Sequence, residues 1–382
     1  MGTDRGTIIV IDDEDWDSYV QLASGMRRRG YTVKLIGSSR RSRRERMRDR
    51  VVFNDTAYAI TPGTDPTPTL LTAIDAMGPA IDILCNDAMA FALGASDRAA
   101  QLPLHARVRP PHHIQDLFDK LTTARLARAA GLDVPEFHPI DDDTIDEAVA
   151  VVGFPAVVKV RTSAGGVGVA KVADRDDVVD AVAKLGGGKR DCLMLQSFAT
   201  GVRHNMSAAV RDGVPLQLVG YYSYASEADP FGPTRTGLTD SPPELLERGR
   251  NLLASVGYRG LCGIDSIETV SGDGTVTWWF LEINPRVWGS FESFNAAGLD
   301  FLDGYAALLS PAATPAVTTA PDGVELRVVP LSTRSDAIAD GNWSLRRFSR
   351  ENKRLRTTIG WRGFAAGALR HLEYASINRK RR

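Results

Sequence analysis

Short apolar runs alternate with amphipathic segments through the first hundred residues. Residues 7–11 form a β-branched apolar run, which predicts a buried strand of a parallel sheet. Residues 17–29 carry apolar side chains at helical spacing and stop at Gly30, as a helix with a glycine C-cap does. Two more runs, 31–36 and 81–85, predict strands. Strands that alternate with helices indicate an open, mostly parallel sheet.

Polar residues follow two of these predicted strands directly. Asp12 and Asp13 come after the first strand, and Asn86 and Asp87 come after the strand at 81–85. Ligands of parallel α/β sheets bind beyond the carboxyl ends of the strands. These side chains are therefore either ligand contacts or turn and helix caps, and the sequence leaves both open.

The pattern changes after a proline-bearing stretch at 107–113, which predicts a domain boundary. Residues 116–130 predict one helix that ends at Gly131. The strands beyond it are predicted to pair within the chain. The predicted pairs are 156–160 with 169–172, 193–198 with 204–210, and 263–269 with 278–283.

Composition limits the class of protein. A chain of 382 residues predicts two or three lobes. With 43% hydrophobic and 24% charged residues and a net charge of -1, it resembles ordinary soluble proteins and gives no reason to expect nucleic-acid binding. No run approaches the ~18 apolar residues of a membrane span, and no targeting segment is evident. We therefore predict a cytoplasmic protein.

Two basic segments have alternative interpretations. An arginine run at 40–50 could bind an anion, although a solvated loop or helix face is the favoured interpretation. The segment 311–321 is rich in Ala, Thr and Pro and predicts a linker, and the tail beyond residue 343 is strongly basic. An apolar stripe at 359–374 could dock on an acidic partner or an anionic membrane, but packing on the protein's own body is favoured.

The first stretch that carries chemistry is a glycine hairpin. Lys159 lies on the entering strand, and Gly165, Gly166 and Gly168 follow in the turn. Glycines let backbone N–H groups approach a polyanion closely, and the lysine adds positive charge. The glycines lead into a strand, whereas the dinucleotide fingerprint must open a helix. This excludes a dinucleotide-binding dehydrogenase, although a plain β-turn remains an equal alternative.

The second is the segment Leu-Glu-Ile-Asn-Pro-Arg at 281–286. Strand alternation places Glu282 and Asn284 on one face, and Asp265 on the predicted partner strand can join them. Carboxylate and amide oxygens suit Mg²⁺. Arg286, just past the strand, could stabilise charge on a transferred phosphoryl group. The alternative is a buried ion pair between Glu282 and Arg286.

Taken in order, these residues resemble the ATP-grasp superfamily. Asp119-Lys120, the Lys159 strand with its glycine hairpin, Gln196-Ser197-Phe198, Asp265, and Glu282 through Arg286 follow one another as they do there. The branch most similar is that of carboxylate–amine ligases related to carbamoyl-phosphate synthase and biotin carboxylase, over residues 110 to 305. The fold class implied is α/β and α+β multidomain.

The resemblance implies three domains. They are a Rossmann-like pre-ATP-grasp domain (1–114), a two-lobed ATP-grasp domain (115–310) with a lid at about 132–195, and a linker with a basic extension (311–382).

The resemblance also implies roles for the nucleotide-site residues. Lys120 and Lys159 would contact ATP phosphates, the hairpin with Gly165, Gly166 and Gly168 would close over them, and Gln196 would face the adenine edge. The backbone at Ser197 and Phe198 would bind the base. Asp265, Glu282 and Asn284 would hold two Mg²⁺ ions, with Mn²⁺ able to substitute. Lys159 and Arg286 would act on the reacting phosphate.

Two positions depart from the family pattern. The residue at the adenine edge is usually acidic and here is Gln196. The residue expected to contact the ribose is often Glu and here is Arg203. Both substitutions leave the catalytic set intact, but they put the nucleotide preference in doubt.

Substrate contacts are predicted from position alone. Arg235, in a long polar-aromatic loop, could clamp a carboxylate, and a solvated arginine is equally compatible. Trp288 could wall an acceptor pocket or simply pack in the core. Asp87 is a third candidate because it follows a strand of the parallel sheet.

The function implied is an ATP-dependent carboxylate–amine ligase that activates a carboxylate as an acyl phosphate and forms an amide or peptide bond between small amino-acid-like substrates. One alternative is another acceptor: ammonia, bicarbonate, or the amine of an acidic carrier protein bound by the basic tail. A second is a nucleotide-binding protein without catalysis, against which the intact motif residues argue. The family also implies a homodimer.

Overall fold

The computed structural model describes residues 5–14, 16–140, 144–163, 168–186, 192–225, 234–310 and 317–327. Three sheets organise these residues: a parallel sheet near the start of the chain, a small antiparallel sheet, and a long antiparallel sheet. The basic tail beyond residue 327 and the apolar stripe predicted within it lie outside the described residues.

The parallel sheet has four strands in the order β3-β2-β1-β4, with every neighbouring pair parallel. Its strands are β1 (Thr7–Asp12), β2 (Thr32–Ser38), β3 (Asp55–Ile60) and β4 (Asp82–Cys85), and its helices are α1 (Asp17–Arg28), α2 (Arg43–Val52), α3 (Thr67–Met77) and α4 (Asp87–Gly94). Ile8 through Ile11 are fully buried. The apolar runs therefore form the parallel strands that their pattern predicts.

The predicted helix at 116–130 is two helices, α5 (Ile114–Phe118) and α6 (Lys120–Ala129). The break falls at Asp119, whose side chain accepts a hydrogen bond from the Leu121 amide at 3.0 Å. An aspartate cap favours a new helix start at this residue. As a result Lys120 opens α6, and its side chain is buried rather than on a solvated helix face.

The small antiparallel sheet has the strand order β5-β8-β6-β7. It contains β5 (Phe137–Ile140), β6 (Ala156–Val160), β7 (Val169–Val172) and β8 (Leu193–Ser197), packed on α7 (Ile145–Val152) and α8 (Arg175–Gly186). The predicted pairing of β6 with β7 is confirmed, with Lys159 opposite Val169. Gly165 and Gly166, in the turn between them, lie outside the described residues.

The long sheet is antiparallel, with the order β13-β12-β9-β10-β11-β14. Its strands are β9 (Val202–Arg211), β10 (Val214–Tyr224), β11 (Thr236–Thr239), β12 (Gly260–Val270), β13 (Val276–Asn284) and β14 (Glu325–Arg327), and α9 (Pro243–Ser255) packs against it. The pairing of β12 with β13 is as predicted.

The predicted pairing of 193–198 with 204–210 is wrong. β8 pairs with β5 and β6 in the small sheet, whereas β9 pairs with β10 and β12 in the long sheet. Gly201 turns the chain between the two sheets at a φ of 155°, and a Cβ there would lie 2.0 Å from the Glu268 carbonyl oxygen. This turn sends two adjacent strands into different sheets.

The chain after β13 returns to the parallel sheet. A 3-10 helix (Phe291–Ala297) and α10 (Phe301–Leu309) pack against α1. The second half of the predicted linker runs along the long sheet instead of away from it, because the Thr318 amide bonds Leu216 O at 2.9 Å and β14 pairs with β11. Residues 317–327 are thus part of this sheet's packing.

A buried polar network joins the parallel sheet to the long sheet. The Asp82 carboxylate on β4 accepts from the Tyr305 hydroxyl and lies next to His105 Nδ1, both at 2.8 Å. His105 Nε2 accepts from the Leu261 amide at 2.7 Å. Because an amide can only donate, the imidazole is neutral and carries its proton on Nδ1. The network fixes the position of β4 relative to β12.

The arginine run at 40–50 is solvated in part, as the favoured interpretation expected: four of its seven arginines are exposed, but two are buried. Arg41 and Arg48 are buried, and the charge of each is met by Asp49, at 3.3 Å and 2.9 Å. Arg41 also bonds the Asp12 carboxylate at 2.8 Å. Buried charges persist only when paired, so these arginines hold α2 on the parallel sheet.

Within the part of the chain that the structure describes, no helix has the length and apolar character that a membrane crossing requires.

Candidate active site between two sheets

A cavity of about 430 Å³ lies between the small sheet and the long sheet. Val157 and Val169 line it from the small sheet, and Ile267 and Leu281 line it from the long sheet. Two apolar walls of this kind suit a flat aromatic ring placed between them. Lys120, Lys159, Asp265 and Glu282 line the same cavity, so an apolar slot and a charged group of side chains share one space.

The charged end of the cavity brings together residues that are far apart in sequence. Asp265 on β12 stands directly opposite Glu282 on β13. Lys120, at the start of α6, lies 3.3 Å from a Glu282 carboxylate oxygen and also donates to the Ser163 carbonyl. Lys159 on β6 donates to Gln196 Oε1 at 2.7 Å. The two lysines and two carboxylates predicted to act on phosphate and metal thus face one another.

The electrostatics of this group follow from burial and from its mutual charges. Burial lowers the pKa of Lys159 to about 8, although the Glu282 carboxylate opposes the change. Burial and the charge of Glu282 raise the pKa of Asp265 to about 6. Burial also acts against ionised Glu282, but Lys120 and Lys159 outweigh it and leave the pKa of Glu282 below its usual value. Two adjacent carboxylates held in this way favour a bound cation.

These donors fit Mg²⁺. Asp265 and Glu282 supply carboxylate oxygens, and Asn284 adds an amide on the same face of the sheet. Hard oxygen ligands of this kind, one or two carboxylates with the remainder from phosphate and water, are what Mg²⁺ prefers. The Asn284 amide nitrogen donates to the Asp265 carboxylate at 3.2 Å, so these two side chains already contact each other, and the Asn284 amide oxygen accepts from Arg286 at 3.3 Å.

Arg286 is held by the parallel-sheet region and not by Glu282. Its Nε lies 2.8 Å from both carboxylate oxygens of Asp87, and its guanidinium carbon lies 4.3 Å from the centre of the Trp16 ring. Burial works against the charge, but Asp87 outweighs it and raises the pKa of Arg286. Glu282 pairs with Lys120 instead. The alternative of a Glu282–Arg286 ion pair is therefore not what the structure contains.

Asp87, predicted as a substrate contact, is thus engaged by Arg286 through both oxygens. Its neighbours at the strand ends have local roles: Asn86 caps α4 through the Met89 amide at 3.1 Å, and Asp12 accepts from the Trp16 amide at 3.1 Å. Asp12 and Asn86 therefore follow the capping and turn alternative.

The backbone at Ser197 and Phe198 is already hydrogen-bonded. The Ser197 amide donates to Glu136 O at 2.8 Å, and the Phe198 amide donates to Pro155 O at 2.9 Å. Both residues line the cavity. A base bound there would meet their carbonyls and side chains, because each amide proton is taken by another strand or loop. Their role in binding the base stays a prediction.

A second cavity of about 250 Å³ adjoins the first. Lys120, Ser163 and Glu282 line both cavities, so they form the wall between them. The far side of the second cavity comes from the parallel-sheet region and α5. Its residues there are Asp87, Ala88, Phe91, Leu117 and Phe118. A molecule in this cavity would lie next to the charged group without entering the apolar slot.

Three other predicted residues have different positions. Arg203 lines the first cavity, and its charge favours ionised Asp265. Trp288 is buried against Phe294 and Phe301, with ring centres 6.2 Å and 4.8 Å away, and lines neither cavity, which places it in the core. Arg235 is half-buried at the edge of β11 beside residues 226–233, which lie outside the described residues. The role of Arg235 stays a prediction.

Two residues that support the site were not predicted from the sequence. Trp16 supports Arg286, and the Arg161 guanidinium pairs with Asp119 at the start of α6. Asp119 belongs to a motif that the sequence shows, and Arg161 follows the strand that carries Lys159. The sequence therefore offered a signal for this ion pair. Trp16 offered no comparable signal, because its contact joins residues 270 positions apart.

A polar cluster was also missed on the other side of the long sheet. His204 is fully buried, with Nδ1 at 2.8 Å from Glu268 and Nε2 at 2.9 Å from the Asp240 carbonyl oxygen. Trp278 Nε1 and the Tyr222 hydroxyl donate to the same Glu268 carboxylate, at 3.2 Å and 3.1 Å. Ligand atoms of His204, Asp240 and Glu268 come within 4.8 Å of one another. Both ring nitrogens of His204 already have hydrogen-bond partners. These hydrogen bonds link β9, β10, β12 and β13 to one another.

Sequence comparison identifies similar enzymes. No protein-family model matches the chain. A D-alanine–D-alanine ligase of Desulforudis audaxviator is 33% identical over 192 residues, which cover 44% of this chain and 57% of the relative. A D-alanine–D-alanine ligase of Stutzerimonas stutzeri is 26% identical, covering 48% of this chain and 61% of the relative. The chain thus spans less than two thirds of the length of these relatives.

Solved structures agree on the fold. N5-carboxyaminoimidazole synthetase from Staphylococcus aureus, complexed with ADP, superposes with a TM-score of 0.66 at 12% identity, covering 93% of this chain and 98% of that one. An L-amino acid ligase from Bacillus licheniformis gives a TM-score of 0.58 at 16% identity, covering 81% and 75%. Together these comparisons confirm the resemblance on which the prediction rested, which is to the carboxylate–amine ligases of the ATP-grasp superfamily.

Proposed function

We propose that the protein uses Mg·ATP to activate a carboxylate as an acyl phosphate and couples it to an amine, forming an amide or peptide bond between small amino-acid-like molecules. One observation carries the proposal: Lys120 and Glu282 form the wall shared by two cavities. One cavity has the apolar slot for a base, and the other has space for a second substrate next to the same charged side chains. Phosphoryl transfer between two bound molecules requires this arrangement.

The reaction proceeds in two steps. A carboxylate oxygen of the substrate attacks the terminal phosphorus, and the bond to the bridging oxygen breaks to release ADP. The amine then attacks the acyl carbon, inorganic phosphate leaves, and the amine loses a proton. No atom of the protein becomes covalently attached in either step.

The protein's contribution is positioning and charge. Lys120 and Lys159 would neutralise the phosphate oxygens, and Arg286, fixed by Asp87, would face the acyl phosphate. Mg²⁺ held by Asp265, Glu282 and Asn284 would neutralise further charge on the phosphates. The hairpin between β6 and β7 would close over them and exclude water.

The second cavity is the place we assign to the carboxylate and amine substrates. Asp87 and Lys120 give it both signs of charge, and Phe91 and Phe118 give it an apolar side. Small amino acids carry both charges and a short side chain, so they match this lining. Two relatives named for D-alanine–D-alanine ligation, and a structural neighbour named as an L-amino acid ligase, support the same substrate class.

Further parts of the assignment are also proposals. Residues 1–114 would form the Rossmann-like pre-ATP-grasp domain, 115–310 the ATP-grasp domain with its lid at about 132–195, and 311–382 the extension. Two Mg²⁺ ions would bind, and Mn²⁺ would replace them. A homodimer is supported by a biotin carboxylase domain described as a dimer among the structural neighbours.

The test is ADP and phosphate release with Mg·ATP and a panel of D- and L-amino acids and small carboxylates, offered singly and in pairs. We expect release that requires a pair, with the coupled product seen by mass spectrometry. Glu282→Ala should abolish release, whereas Glu247→Ala, an exposed glutamate on α9, should leave it unchanged. Release that no pair stimulates, or that survives Glu282→Ala, would contradict the proposal.

Bicarbonate is the second candidate for the molecule that is phosphorylated. A structural neighbour is a biotin carboxylase domain that binds MgADP and bicarbonate. Bicarbonate-dependent phosphate release in the absence of any organic carboxylate would favour this candidate. Release that depends on an amino acid in bicarbonate-free buffer would exclude it.

A further inference from the structure

The two sides of the second cavity differ in polarity. The wall toward the nucleotide cavity carries the charged side chains of Lys120 and Glu282. The opposite side is formed by four apolar residues of α4 and α5: Ala88, Phe91, Leu117 and Phe118. At about 250 Å³ the cavity is smaller than the ~300–1,000 Å³ of pockets for drug-sized ligands. It therefore admits a small molecule with one end at each side.

Polar side chains on the apolar side are already engaged. Both carboxylate oxygens of Asp87 accept from Arg286 Nε at 2.8 Å. The Thr123 hydroxyl, which also lines the cavity, donates to the Lys120 carbonyl oxygen at 3.1 Å. A polar group that enters an apolar environment loses its water, and this is costly unless a new hydrogen bond replaces it. The described part of this side therefore disfavours a charged or polar substituent.

Phe91 has no role in the protein's own core. The helix α4 turns Met89, Ala90 and Leu93 inward, where all three are buried. Phe91 is 41% exposed and belongs to none of the hydrophobic clusters that the described residues form. Ala88, three positions earlier, lies on the same side of the helix. An exposed aromatic ring that lines a cavity next to other apolar side chains is typical of a ligand-binding surface.

The charged wall fixes which end of a substrate faces it. Phosphoryl transfer brings the terminal phosphate of the nucleotide to this wall from the other cavity, so the carboxylate that attacks it must lie at Lys120 and Glu282. This step rests on the proposed function, which takes the two cavities as the sites of the nucleotide and of the carboxylate substrate. The side chain of an amino acid bound in this way extends toward α4 and α5.

We propose that the amino acid whose carboxylate is activated has an apolar side chain of valine or leucine size, and that Phe91 selects it. Leu117 and Phe118 complete the surface that the side chain meets. An amino acid of the same shape with a polar side chain is rejected, because its polar atoms would face this surface without a free partner. Alanine fits the cavity but ends short of the Phe91 ring.

The experiment is isothermal titration calorimetry of the full chain with single amino acids, in the presence of Mg²⁺ and the non-hydrolysable ATP analogue AMP-PNP. Two pairs of similar shape isolate polarity from size: leucine with asparagine, and valine with threonine, each tested as both enantiomers. We expect the enantiomer that binds to show a dissociation constant at least about tenfold lower for the apolar member of each pair, the range by which apolar pockets discriminate.

Variants of Phe91 test its part in this selection. Phe91→Ala should weaken leucine binding about tenfold and leave alanine binding unchanged, because only leucine reaches the ring. Phe91→Leu keeps an apolar contact and should restore most of the leucine affinity. Met47→Ala is the matched control: Met47 is 52% exposed on α2 and lines neither cavity, so its removal should change no dissociation constant.

Three results would overturn the proposal. One is equal binding of the two members in both pairs. The second is a Phe91→Ala variant that weakens leucine and alanine alike, which would show a structural role, or that weakens neither. The third is that none of the amino acids binds, which would also remove the assignment of this cavity to the substrate. If Phe91→Ala does not fold, the two pairs measured on wild-type protein decide.

The binding measurement separates this inference from the ligase assignment. Calorimetry needs no amine acceptor and no turnover. If apolar amino acids are preferred through Phe91 and coupling is never observed, the selection stands and the ligase proposal fails. If coupling occurs but asparagine and threonine are bound and activated as well as leucine and valine, the ligase proposal stands and this inference fails.

Discussion

The contact between Asp87 and Arg286 makes a prediction about how the start of the chain takes part in the reaction. Asp87 lies on α4 and Arg286 lies just after β13, and the Arg286 Nε is 2.8 Å from both Asp87 oxygens. The Arg286 side chain is only 11% exposed, and the Asp87 side chain is 21% exposed. We predict that Asp87→Asn, which keeps the shape but removes the charge, lowers kcat by releasing Arg286 from its position.

The magnitude follows from this geometry. Loss of a hydrogen bond between charged groups that are mostly buried costs about 2–3 kcal/mol. A misplaced catalytic group reduces the rate by about 10²-fold for a displacement near 1 Å. We therefore expect kcat to fall about 10- to 100-fold. The KM for the nucleotide should not change, because Asp87 lines the second cavity and not the nucleotide cavity.

The assay is ADP release at 25 °C with the best substrate pair, combined with thermal unfolding of each variant. Asp75→Asn is the matched control: it removes a carboxylate from an ion pair with the same 2.8 Å distance to Arg98, but at 37% and 58% exposure. A surface pair contributes about 0–1 kcal/mol, so this control should keep both kcat and Tm. An unchanged kcat in Asp87→Asn, or a loss equal to that in Asp75→Asn, would refute the positioning argument.

Three further predictions concern the same region. Trp16→Leu removes the ring stacked on Arg286 and should lower kcat by up to about fivefold, given the ~1 kcal/mol typical of a partly exposed cation–π contact. ADP release measures it, and unchanged kcat would contradict it. The value of kcat/KM for the nucleotide should fall as pH rises above about 8, because the pKa of Lys159 is lowered to about 8 by burial and the amine then loses its charge; Lys159→Arg should remove this decline. Asp265→Asn should raise the Tm of the nucleotide-free protein by about 2 °C, because it removes a buried charge facing Glu282, and should abolish Mg²⁺-dependent nucleotide binding, both measurable by thermal unfolding with and without Mg·ADP.

Hydrophobic periodicity predicted most helices and strands, because the side chains that each element buries form a pattern within its own sequence. The strand β1 is buried on both faces, so its apolar run could be recognised without knowing its partners. The hairpin of β12 and β13 was predictable because a short polar turn joins two strands of matching pattern. From that hairpin alone, the alternation of Glu282 and Asn284 placed both residues on the face that holds Asp265.

Contacts between distant segments could not be predicted in the same way. The strands β8 and β9 are adjacent in sequence, and nothing in their composition shows that Gly201 sends them into different sheets. The burial of Arg41 could not be predicted, because the sequence does not show that Asp12 and Asp49 come within its reach. Burial of charge depends on the tertiary partner, and the partner is fixed only by the fold.

The two cavities on either side of Lys120 and Glu282 are lined by different parts of the chain. Every residue that lines the first cavity comes from position 120 or later, while Asp87, Ala88 and Phe91 on α4 form part of the second. In the reaction proposed above, α4 therefore contributes to the substrate cavity and not to the nucleotide cavity. Substitutions at Ala88 and Phe91 on α4 can therefore change the molecule accepted while the lining of the nucleotide cavity stays the same, whereas Asp87 is tied to Arg286 and does not share this freedom.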